Sequence, residues 1–341
     1  MNNSLKRLKA LYALGDHFRF YDREDKNYNP LSEAIEKAIY LNGWFTRNHV
    51  ELAIKNWGET LQEQELSQWL CKYSIPNANS KRKIALILAG NIPLVGLHDV
   101  LCVWVSGYYA LVKCASKDNV LLPYIAQFLE TQSGEKRIEF TDKVVTGFDA
   151  IIATGTNNSA RYFDHYFSKY PHIIRKNRNG AAVLSGNETE EELEGLGHDI
   201  LDFFGLGCRN ISKLYLPKGF DLNLIFGGLY PLSYCIDHPK YANNYDYNKA
   251  IFLMSEFPFL ENGFLLLREN DSYSAPIACA HYEFYDSLDY VFSQLNANQD
   301  IIQCLVSHIS IDGAIPYGTT QKPHLWEYAD GIDTLDFLLK L

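Results

Sequence analysis

Short apolar runs alternate with helical segments from residue 83 onward, and this alternation restricts the chain to few architectures. The runs "KIALILAG" (83–90) and "ALVKCAS" (110–116) have the pattern of buried strands, and "LVGLHDVLCVWVSGY" (94–108) has helical periodicity. Parallel neighbours need a crossover connection, usually a helix, so this order predicts a parallel sheet. Pro93 suits the first turn of the intervening helix, where its missing N–H costs nothing.

The same pattern returns later in the chain. "DAIIAT" (149–154) is predicted to be a strand, "GTNNS" (155–159) a turn and "ARYFDHYFSKY" (160–170) a helix. "AAVLSG" (181–186) is then predicted to be another strand. A second strand–helix–strand unit of this kind favours an α/β fold over an all-α or all-β one.

A helix is predicted after that strand, within "NETEEELEGLGHDILDFFGLG" (187–207). Thr189 and Glu192 have the spacing of a capping box, which marks a helix start. The apolar residues that share one helical face are Leu193, Leu196, Ile200 and Phe204. We expect Gly205 and Gly207 to end the helix.

Cys208 follows these glycines on a predicted loop, just before the strand "ISKLYLP" (211–217). Glycines allow positive φ and close backbone approach, so a thiol here can be exposed enough to attack a bound substrate. A structural cysteine beside a helix-ending glycine is the alternative, and the local sequence leaves both open.

The segment before residue 77 has a different character. Residues 1–76 carry apolar residues at helical spacing and are predicted to be helices. Pro76 and "NANS" (77–80) break that pattern, so a boundary is expected near 77–82.

The composition excludes several classes of protein. The chain has 341 residues and a net charge of -10, and its short basic stretches "KRLK" and "SKRK" form no basic stripe, so no nucleic-acid partner is expected. The start lacks the apolar run of a signal peptide, and the longest apolar stretch (100–112) is too short for a membrane span. We therefore expect a cytoplasmic protein. The seven cysteines include no C-x-x-C pair, so neither a disulfide framework nor a zinc site is indicated.

Six stretches of the chain, taken together, carry a resemblance to a known family. They are "AGNIPLVGLHD" (89–99), "LVKCASKDN" (111–119), "ATGTNNSARYFDHYF" (153–167), "HIIRKNRNGAAVLSGNET" (172–189), "GLGCRNISKLYLP" (205–217) and "YGTTQKPHLWEYADGIDTLDFL" (317–338). In this order they resemble the acyl-CoA reductases related to the fatty-acid reductase of bacterial luminescence, which belong to the aldehyde dehydrogenase superfamily.

The resemblance implies an α/β, aldehyde-dehydrogenase-like fold. The domains it implies are an N-terminal helical segment (1–79), a Rossmann-type nicotinamide-cofactor-binding domain (80–190), an α/β catalytic domain (191–310) and a C-terminal segment (311–341). It also implies an acyl-CoA or other acyl-thioester substrate, an acyl-activating protein as a partner, and leaves a homo-oligomer open.

The catalytic cysteine of the family matches Cys208, within "GLGCRN". The superfamily's asparagine, which helps to bind the oxyanion, matches Asn91 in "GNIP"; an asparagine of a turn, or one that caps a helix at Leu94, is the alternative. Arg209 is a candidate for lowering the pKa of the Cys208 thiol, with a structural salt bridge as the alternative.

The cofactor contacts of the superfamily match two further stretches. Lys113 matches the lysine that holds the adenosine ribose, and Ser116 stands where a glutamate is usual, followed by Lys117. A carboxylate repels a 2′-phosphate, whereas a hydroxyl beside a lysine can accept one, so we expect NADPH, with NADH as the alternative. Lys117 as a plain surface residue stays open. Gly155 and Thr156 match the turn that supports the cofactor, with a helix N-terminus near the phosphates.

Two family features are missing: the glutamate general base near "RKNRNGAAVL" and the Glu-x-Phe-Gly-Pro cofactor block. A reductase starts from a thioester and needs no water for hydrolysis, so a missing base fits reduction. The rival interpretations are a cysteine acyltransferase or hydrolase, with Cys208 paired to a distant histidine, and a non-catalytic subunit that binds a partner enzyme.

Other polar and aromatic groups were candidates with weaker signals. We expect His98 with Asp99, and His165 with Asp164, to be core or surface residues rather than ligands. "CAHYE" (279–283) alternates cysteine, histidine and glutamate but lacks a fourth metal ligand. The aromatic runs at 161–167 and 281–292 are predicted to be core, with an acyl tunnel as the alternative.

Overall fold

The computed structural model describes residues 3–24, 29–77 and 80–341. The helices there are α1 (Asn3–Arg19), α2 (Pro30–Leu41), α3 (Arg47–Thr60), α4 (Glu63–Leu70), α5 (Leu97–Ser106), α6 (Leu121–Ser133), α7 (Asn157–Phe167), α8 (Glu190–Leu201), α9 (Leu222–Leu229), α10 (Pro239–Met254), α11 (Leu288–Ala297) and α12 (Thr334–Leu339). The strands are β1 (Lys83–Ile87), β2 (Tyr109–Lys113), β3 (Ile138–Phe140), β4 (Ala150–Thr154), β5 (His172–Arg175), β6 (Asn179–Val183), β7 (Ile211–Pro217), β8 (Leu260–Glu261), β9 (Leu266–Glu269), β10 (Cys279–Tyr285), β11 (Ile302–Val306) and β12 (Ala314–Ile315).

The chain forms two compact units. The first holds the residues up to Lys176 together with His324–Leu341, and the second holds Asn177–Pro323. The sequence analysis placed the corresponding boundary between residues 190 and 191. The difference arises from β6, which hydrogen-bonds to β7 and β11 of the second unit rather than to a strand of the first.

The first unit contains a parallel sheet of five strands among the described residues, in the order β3-β2-β1-β4-β5. This is the strand order of a Rossmann-type fold, so the predicted α/β class with a Rossmann-type sheet is confirmed. The central strands β1 and β4 are continuous apolar runs because both faces of the sheet are covered. Ala85 and Ile151 on these strands pack with Phe148 and Val145 in one core cluster.

The predicted N-terminal helices are also present. Helices α1 to α4 precede β1, and Trp69 of α4 is fully buried. The predicted boundary near 77–82 falls partly outside the described residues, because residues 78 and 79 are not among them.

The helix after β1 begins later than predicted. It starts at Leu97 with Gly96 as its N-cap, and Pro93 lies in the preceding turn rather than in the first helical turn. Leu94 takes φ +59°, a conformation that interrupts a right-handed helix. Asn91 therefore does not cap a helix at Leu94, whereas its alternative as an asparagine of a turn stays open.

The second unit contains a seven-stranded sheet within the described residues, in the order β12-β11-β6-β7-β10-β9-β8. Every neighbouring pair is parallel except β8 with β9. Ala181 and Val183 of β6 lie in its core with Tyr215 of β7. The sequence analysis did not predict β3, β5 or β8 to β12, and all of these except β10 have five residues or fewer.

Helix α8 has the predicted start and a different end. Thr189 and Glu192 form the capping box in both directions, as predicted. The helix ends at Leu201, before the predicted glycines, because Phe203 and Phe204 take φ +54° and +58° in a left-handed turn. Gly205 continues that turn at φ +70°.

Residues 324–341, which lie within the C-terminal segment of the sequence analysis (311–341), belong to the first unit. The Leu325 carbonyl accepts a hydrogen bond from His98 Nε2 at 2.9 Å, and Thr334 Oγ1 accepts one from Arg175 Nη2 at 2.8 Å. Trp69 Nε1 donates to Tyr328 Oη at 2.7 Å. The segment is thus tied to α4, α5 and β5.

Candidate active site

Four predicted site residues lie along one edge of the five-stranded sheet. Asn91 follows β1, Lys113 ends β2, and Gly155 and Thr156 follow β4. These strands are parallel neighbours, so their carboxyl ends share one edge. The strand order reverses between β1 and β4, and α/β sheets bind ligands in the crevice at such a switch point.

The Gly90 loop (residues 88–96) follows β1 and is shaped by close packing. A Cβ on Gly90 would lie 2.7 Å from both Ala115 Cβ and Asp118 Cβ, so only glycine fits. Asn42 Nδ2 donates to the Gly90 carbonyl at 3.1 Å. Asn91 comes next and is exposed. The packing of Gly90 therefore fixes the backbone position next to Asn91.

Lys113 has backbone partners in the structure. Its ammonium donates to the carbonyl oxygens of Asp142 and Lys143, each at 3.0 Å. The lysine therefore holds the loop between β3 and β4 at the edge of the sheet. Ser116 and Lys117 are exposed on the turn that follows β2.

Gly155 and Thr156 shape the start of α7. Thr156 is the N-cap, and its hydroxyl accepts from the Ser159 N–H at 3.3 Å. A Cβ on Gly155 would lie 2.8 Å from Ser159 Cβ and 3.0 Å from a ring carbon of Phe163. The glycine thus lets α7 start close to β4, with its N-terminus at the sheet edge, where a phosphate is favoured.

Sequence reasoning missed Asp118, which lies in the turn against Gly90. The side chain is buried, its Oδ1 has no hydrogen-bond partner, and burial raises the pKa of its carboxyl to about 7. "KDN" gives no sign of this, because surface turns carry the same residues.

The Cys208 loop (residues 206–210) lies in the second unit, between the left-handed turn after α8 and the strand β7. Cys208 is exposed and is not part of a disulfide. The loop lies at the amino end of β7, where the backbone N–H of Gly180 on β6 donates to the Asn210 carbonyl at 3.0 Å. A Cβ on Gly180 would approach the Arg209 and Asn210 carbonyl oxygens to 2.9 and 2.8 Å, so the loop lies directly over that glycine.

Asn210 fixes the backbone on both sides of the cysteine. Its Oδ1 accepts from the Gly207 N–H at 2.8 Å. Its Nδ2 donates to the carbonyl oxygens of Asp199 and Asp202, at 3.0 and 2.9 Å. Since the side chain is buried, these bonds are shielded from water. One amide therefore joins the end of α8 to the Cys208 loop.

Asp199 joins the same region to a third segment. Its carboxylate accepts from the backbone N–H groups of Gly318 and Thr320, at 2.7 and 3.0 Å. Burial raises the pKa of this carboxyl to about 6, and the two hydrogen bonds oppose that rise. The segment after β12 is thereby held beside α8.

Arg209 and Cys304 also reach this loop. The Arg209 guanidinium donates to the Thr320 carbonyl through Nε. The thiol of Cys304, on β11, donates to the Arg209 carbonyl at 3.2 Å. This geometry assigns Arg209 a structural bond to Thr320, and any effect on the Cys208 thiol stays a prediction. Sequence spacing gave no reason to place Cys304 here.

One of the two histidine–aspartate pairs lies in the core and the other on the surface, as expected. His98 packs against Trp69 and Tyr328, and burial lowers its pKa. Asp99 is buried in an ion pair with Arg175. The other pair, Asp164 and His165, lies exposed on α7.

The "CAHYE" residues of β10 have separate partners. His281 Nδ1 donates to the Ser272 carbonyl at 2.9 Å, and Glu283 pairs with the buried Lys213. No group of three or more His, Cys, Asp or Glu among the described residues is placed to hold a metal ion. The described residues also hold no helix long and apolar enough to cross a membrane.

The aromatic runs are only partly core. On α7, Phe163 and Phe167 pack against the core of the first sheet, whereas Tyr162 and Tyr166 are exposed. On β10, Tyr282 and Tyr285 are buried. Helical spacing explains the division on α7, because it places the two tyrosines on the face of the helix that points away from the sheet.

No protein-family model matches the sequence, and no curated protein matches it. Solved structures do match its fold. A NAD-dependent benzaldehyde dehydrogenase from Corynebacterium glutamicum matches with a TM-score of 0.64 at 13% identity, over 86% of this chain and 73% of that one. A NADP-dependent glyceraldehyde-3-phosphate dehydrogenase from Bacillus halodurans gives 0.60 at 12%, over 86% and 71%. A NAD-dependent aldehyde dehydrogenase from Sinorhizobium meliloti gives 0.61 at 12%, over 87% and 68%.

The chain therefore has an aldehyde-dehydrogenase-like fold, as the resemblance implied. The structure brings the predicted cofactor residues and Asn91 to one edge of the first sheet. Cys208 belongs to the second unit. The roles of these residues, and of the domains that carry them, stay predictions.

Proposed function

We propose that this chain is an oxidoreductase that reduces a fatty acyl thioester, such as an acyl-CoA, to the aldehyde through an acyl-Cys208 intermediate. The observation that carries the proposal is an exposed thiol on a loop that a buried asparagine fixes on both sides. A nucleophile held in this way needs little reorganisation when a substrate binds.

The residues along the first sheet edge fit a nicotinamide dinucleotide. The helix N-terminus at Thr156 supplies N–H groups for a pyrophosphate, and the switch point supplies a crevice. Exposed Ser116 and Lys117 are suited to a 2′-phosphate, so we propose NADPH, with NADH as the alternative. The similar structures include NAD-dependent and NADP-dependent dehydrogenases, which supports a nicotinamide cofactor of either kind.

The chemistry begins at Cys208. Its thiolate sulfur attacks the thioester carbonyl carbon, the bond from that carbon to the CoA sulfur breaks, and CoA leaves as a thiolate. The Cys208 backbone N–H is a donor for the oxyanion; one such donor contributes about 3–4 kcal/mol in comparable sites. A bound nicotinamide supplies the hydride that replaces sulfur on the acyl carbon. Cys208 then leaves as a thiolate and the aldehyde is released.

Two further expectations belong to this proposal. Asn91 as the second oxyanion donor stays a prediction from the resemblance. An acyl-activating protein that delivers the acyl group, and assembly into a homo-oligomer, are likewise proposed from the resemblance.

The test is an intact-mass measurement of the protein mixed with a long-chain acyl-CoA, without a nicotinamide. We expect a gain of one acyl group in the wild type and none in Cys208→Ala. Cys71→Ala is the matched control, because Cys71 is also exposed but lies at the end of α4. NADPH should then remove the acyl group and yield the aldehyde.

Other outcomes distinguish the rival functions. An acyl group that NADPH and NADH both fail to remove would indicate a cysteine acyltransferase. No acylation of the wild type with any chain length would contradict a nucleophilic Cys208 and favour a non-catalytic, partner-binding subunit.

A further inference from the structure

A second cluster of reactive side chains lies at the carboxyl edge of the seven-stranded sheet. Ser185 follows β6, and His308 follows β11. The chain leaves β6 toward β7 on one side and later returns as β11 on the other side, so the strand order reverses between β6 and β11. The carboxyl ends of strands at such a reversal form the usual ligand crevice of an α/β sheet.

Three side chains in this crevice are arranged as a nucleophile, a base and an orienting acid. Ser185 Oγ lies 2.6 Å from His308 Nε2. His308 Nδ1 lies 2.9 Å from Glu192 Oε1, which fixes the tautomer with its proton on Nδ1 when the ring is neutral. Nε2 then accepts the Ser185 hydroxyl proton. Nucleophilic serines are recognised by this sequence of two hydrogen bonds rather than by position in the chain.

Glu192 is fixed independently of the histidine. Its other oxygen, Oε2, accepts from the Thr189 N–H at 2.8 Å in the capping box of α8. That bond and the one to His308 lower the pKa of the Glu192 carboxyl, so it stays ionised. The acid that orients His308 is therefore held by a helix rather than by a loose loop.

Glu188 organises the backbone around the serine. Its carboxylate accepts from the N–H groups of Ser185 and Gly186, and its Oε1 lies 3.1 Å from Ser185 Oγ, farther than His308 Nε2. The Asn187 N–H donates to Ser185 Oγ at 3.1 Å. These hydrogen bonds are sufficient to hold the loop in its conformation. It has no need of His308, whose side chain reaches across from another strand and remains 29% exposed.

The cluster is separate from the Cys208 loop. The two lie at opposite edges of the sheet, because Cys208 precedes Ile211, which pairs with Gly180, whereas Ser185 follows Val183, which pairs with Tyr215. The strand between Ile211 and Tyr215 spans about 13 Å at ~3.3 Å per residue.

We propose that Ser185, His308 and Glu192 form a second nucleophilic site, which accepts an acyl group from an ester or thioester. Ser185 Oγ bonds to the carbonyl carbon, and its proton passes to His308 Nε2. The bond from that carbon to the leaving oxygen or sulfur breaks, and the leaving group takes the proton. Water then cleaves the acyl-Ser185 ester by the same route, giving a carboxylic acid and restoring the hydroxyl.

The test uses a fluorophosphonate probe on the full chain, followed by peptide mapping by mass spectrometry. Ser185 Oγ forms a bond to phosphorus, fluoride leaves, and the serine proton passes through His308 to solvent. We expect labelling of Ser185 in the wild type. Cys208→Ala should label at the same rate, because the first site plays no part, so this result is independent of the proposed reductase.

Two variants separate a reactive serine from a structural one. His308→Gln should lower the labelling rate at least 100-fold through loss of the base. Glu192→Gln retains an oxygen for the Thr189 N–H but loses the His308 partner, and should lower the rate about tenfold. Ser272, exposed in a turn without a histidine against its hydroxyl, is the internal control. Labelling of Ser185 no faster than Ser272, or unchanged in His308→Gln, would overturn the proposal.

Discussion

The Cys208 loop and the Gly90 loop both lie at the edge of a parallel sheet, but different forces hold them. The first is held by hydrogen bonds that the buried side chains of Asn210 and Asp199 form with backbone groups on three segments. The second is held by contact of Gly90 with Ala115 and Asp118, where no side chain fits. The Cys208 loop therefore depends on polar side chains, whereas the Gly90 loop depends on a residue that has no side chain.

The largest expected effect comes from breaking the packed loop. Gly90→Ala adds a Cβ that meets Ala115 Cβ and Asp118 Cβ at 2.7 Å. Neither atom can rotate away, so we expect the free energy of unfolding to fall by about 3 kcal/mol, the upper range for overpacking. Urea unfolding measures this.

The matched control is Gly227→Ala, because a Cβ there meets nothing within 4 Å and the residue is helical. That variant should be stabilised by about 0.5–1 kcal/mol. Equal stability of Gly90→Ala and wild type would show that the Gly90 loop is not rigidly packed.

The hydrogen-bonded loop should respond to Asn210→Ala. The Gly207 N–H and the Asp199 and Asp202 carbonyl oxygens each lose a partner, which costs about 2–3 kcal/mol in total. The exposed Cys208 thiol should also react at a changed rate with iodoacetamide, since its backbone is no longer fixed.

Asn210→Asp sharpens the same comparison, because it keeps the acceptor for the Gly207 N–H and loses both donors. Its second carboxylate oxygen would face the Asp199 and Asp202 carbonyl oxygens in a buried position, so this variant should be less stable than Asn210→Ala. An unchanged thiol reaction rate in both variants would show that the asparagine supports the fold but does not position Cys208.

The buried Asp118 carboxyl makes the packed loop sensitive to pH. In the folded protein it holds its proton up to about pH 7, whereas an unfolded aspartate loses it near pH ~3.9. The folded state thus binds more protons in this window, so stability is greatest below it and falls as pH rises through 7. Between pH 5 and 8, the free energy of unfolding should therefore fall in the wild type by about 2 kcal/mol more than in Asp118→Asn, as measured by urea unfolding at each pH. Identical pH profiles would contradict an ionising, unpartnered carboxyl.

The smallest expected effect concerns cofactor choice on the turn beside Gly90. Lys117→Glu places a carboxylate where we propose a 2′-phosphate, and should lower the NADPH to NADH ratio of kcat/KM about tenfold, or ~1.4 kcal/mol. Lys136→Glu is the control, since Lys136 is also exposed but precedes β3 at the other end of the sheet. An equal change in both variants would indicate general electrostatics rather than a phosphate contact.

The sequence predicted the elements that repeat a strong pattern. The apolar runs of β1 and β4 and the capping box of α8 are local signals, and the structure contains all three. The left-handed turn at Phe203 and Phe204 was not predictable, because bulky residues seldom take positive φ and only the surrounding packing imposes it.

The candidate site divides in the same way. Three of the predicted residues stand in short motifs: Cys208 directly after Gly-Leu-Gly, and Gly155 and Thr156 in the turn before α7. Asn210 and Asp118 could not be found, because an asparagine or aspartate after a turn is ordinary, and their importance depends on partners far away in the chain.

The return of residues 324–341 to the first unit has a consequence for synthesis on the ribosome. The second unit, residues 177–323, is synthesised between the two parts of the first unit, so the first unit lacks its last part until synthesis reaches residue 324. Until then, His98 and Arg175 lack the Leu325 and Thr334 partners that they later bind. The unit whose synthesis begins first is therefore the one whose contacts are completed last.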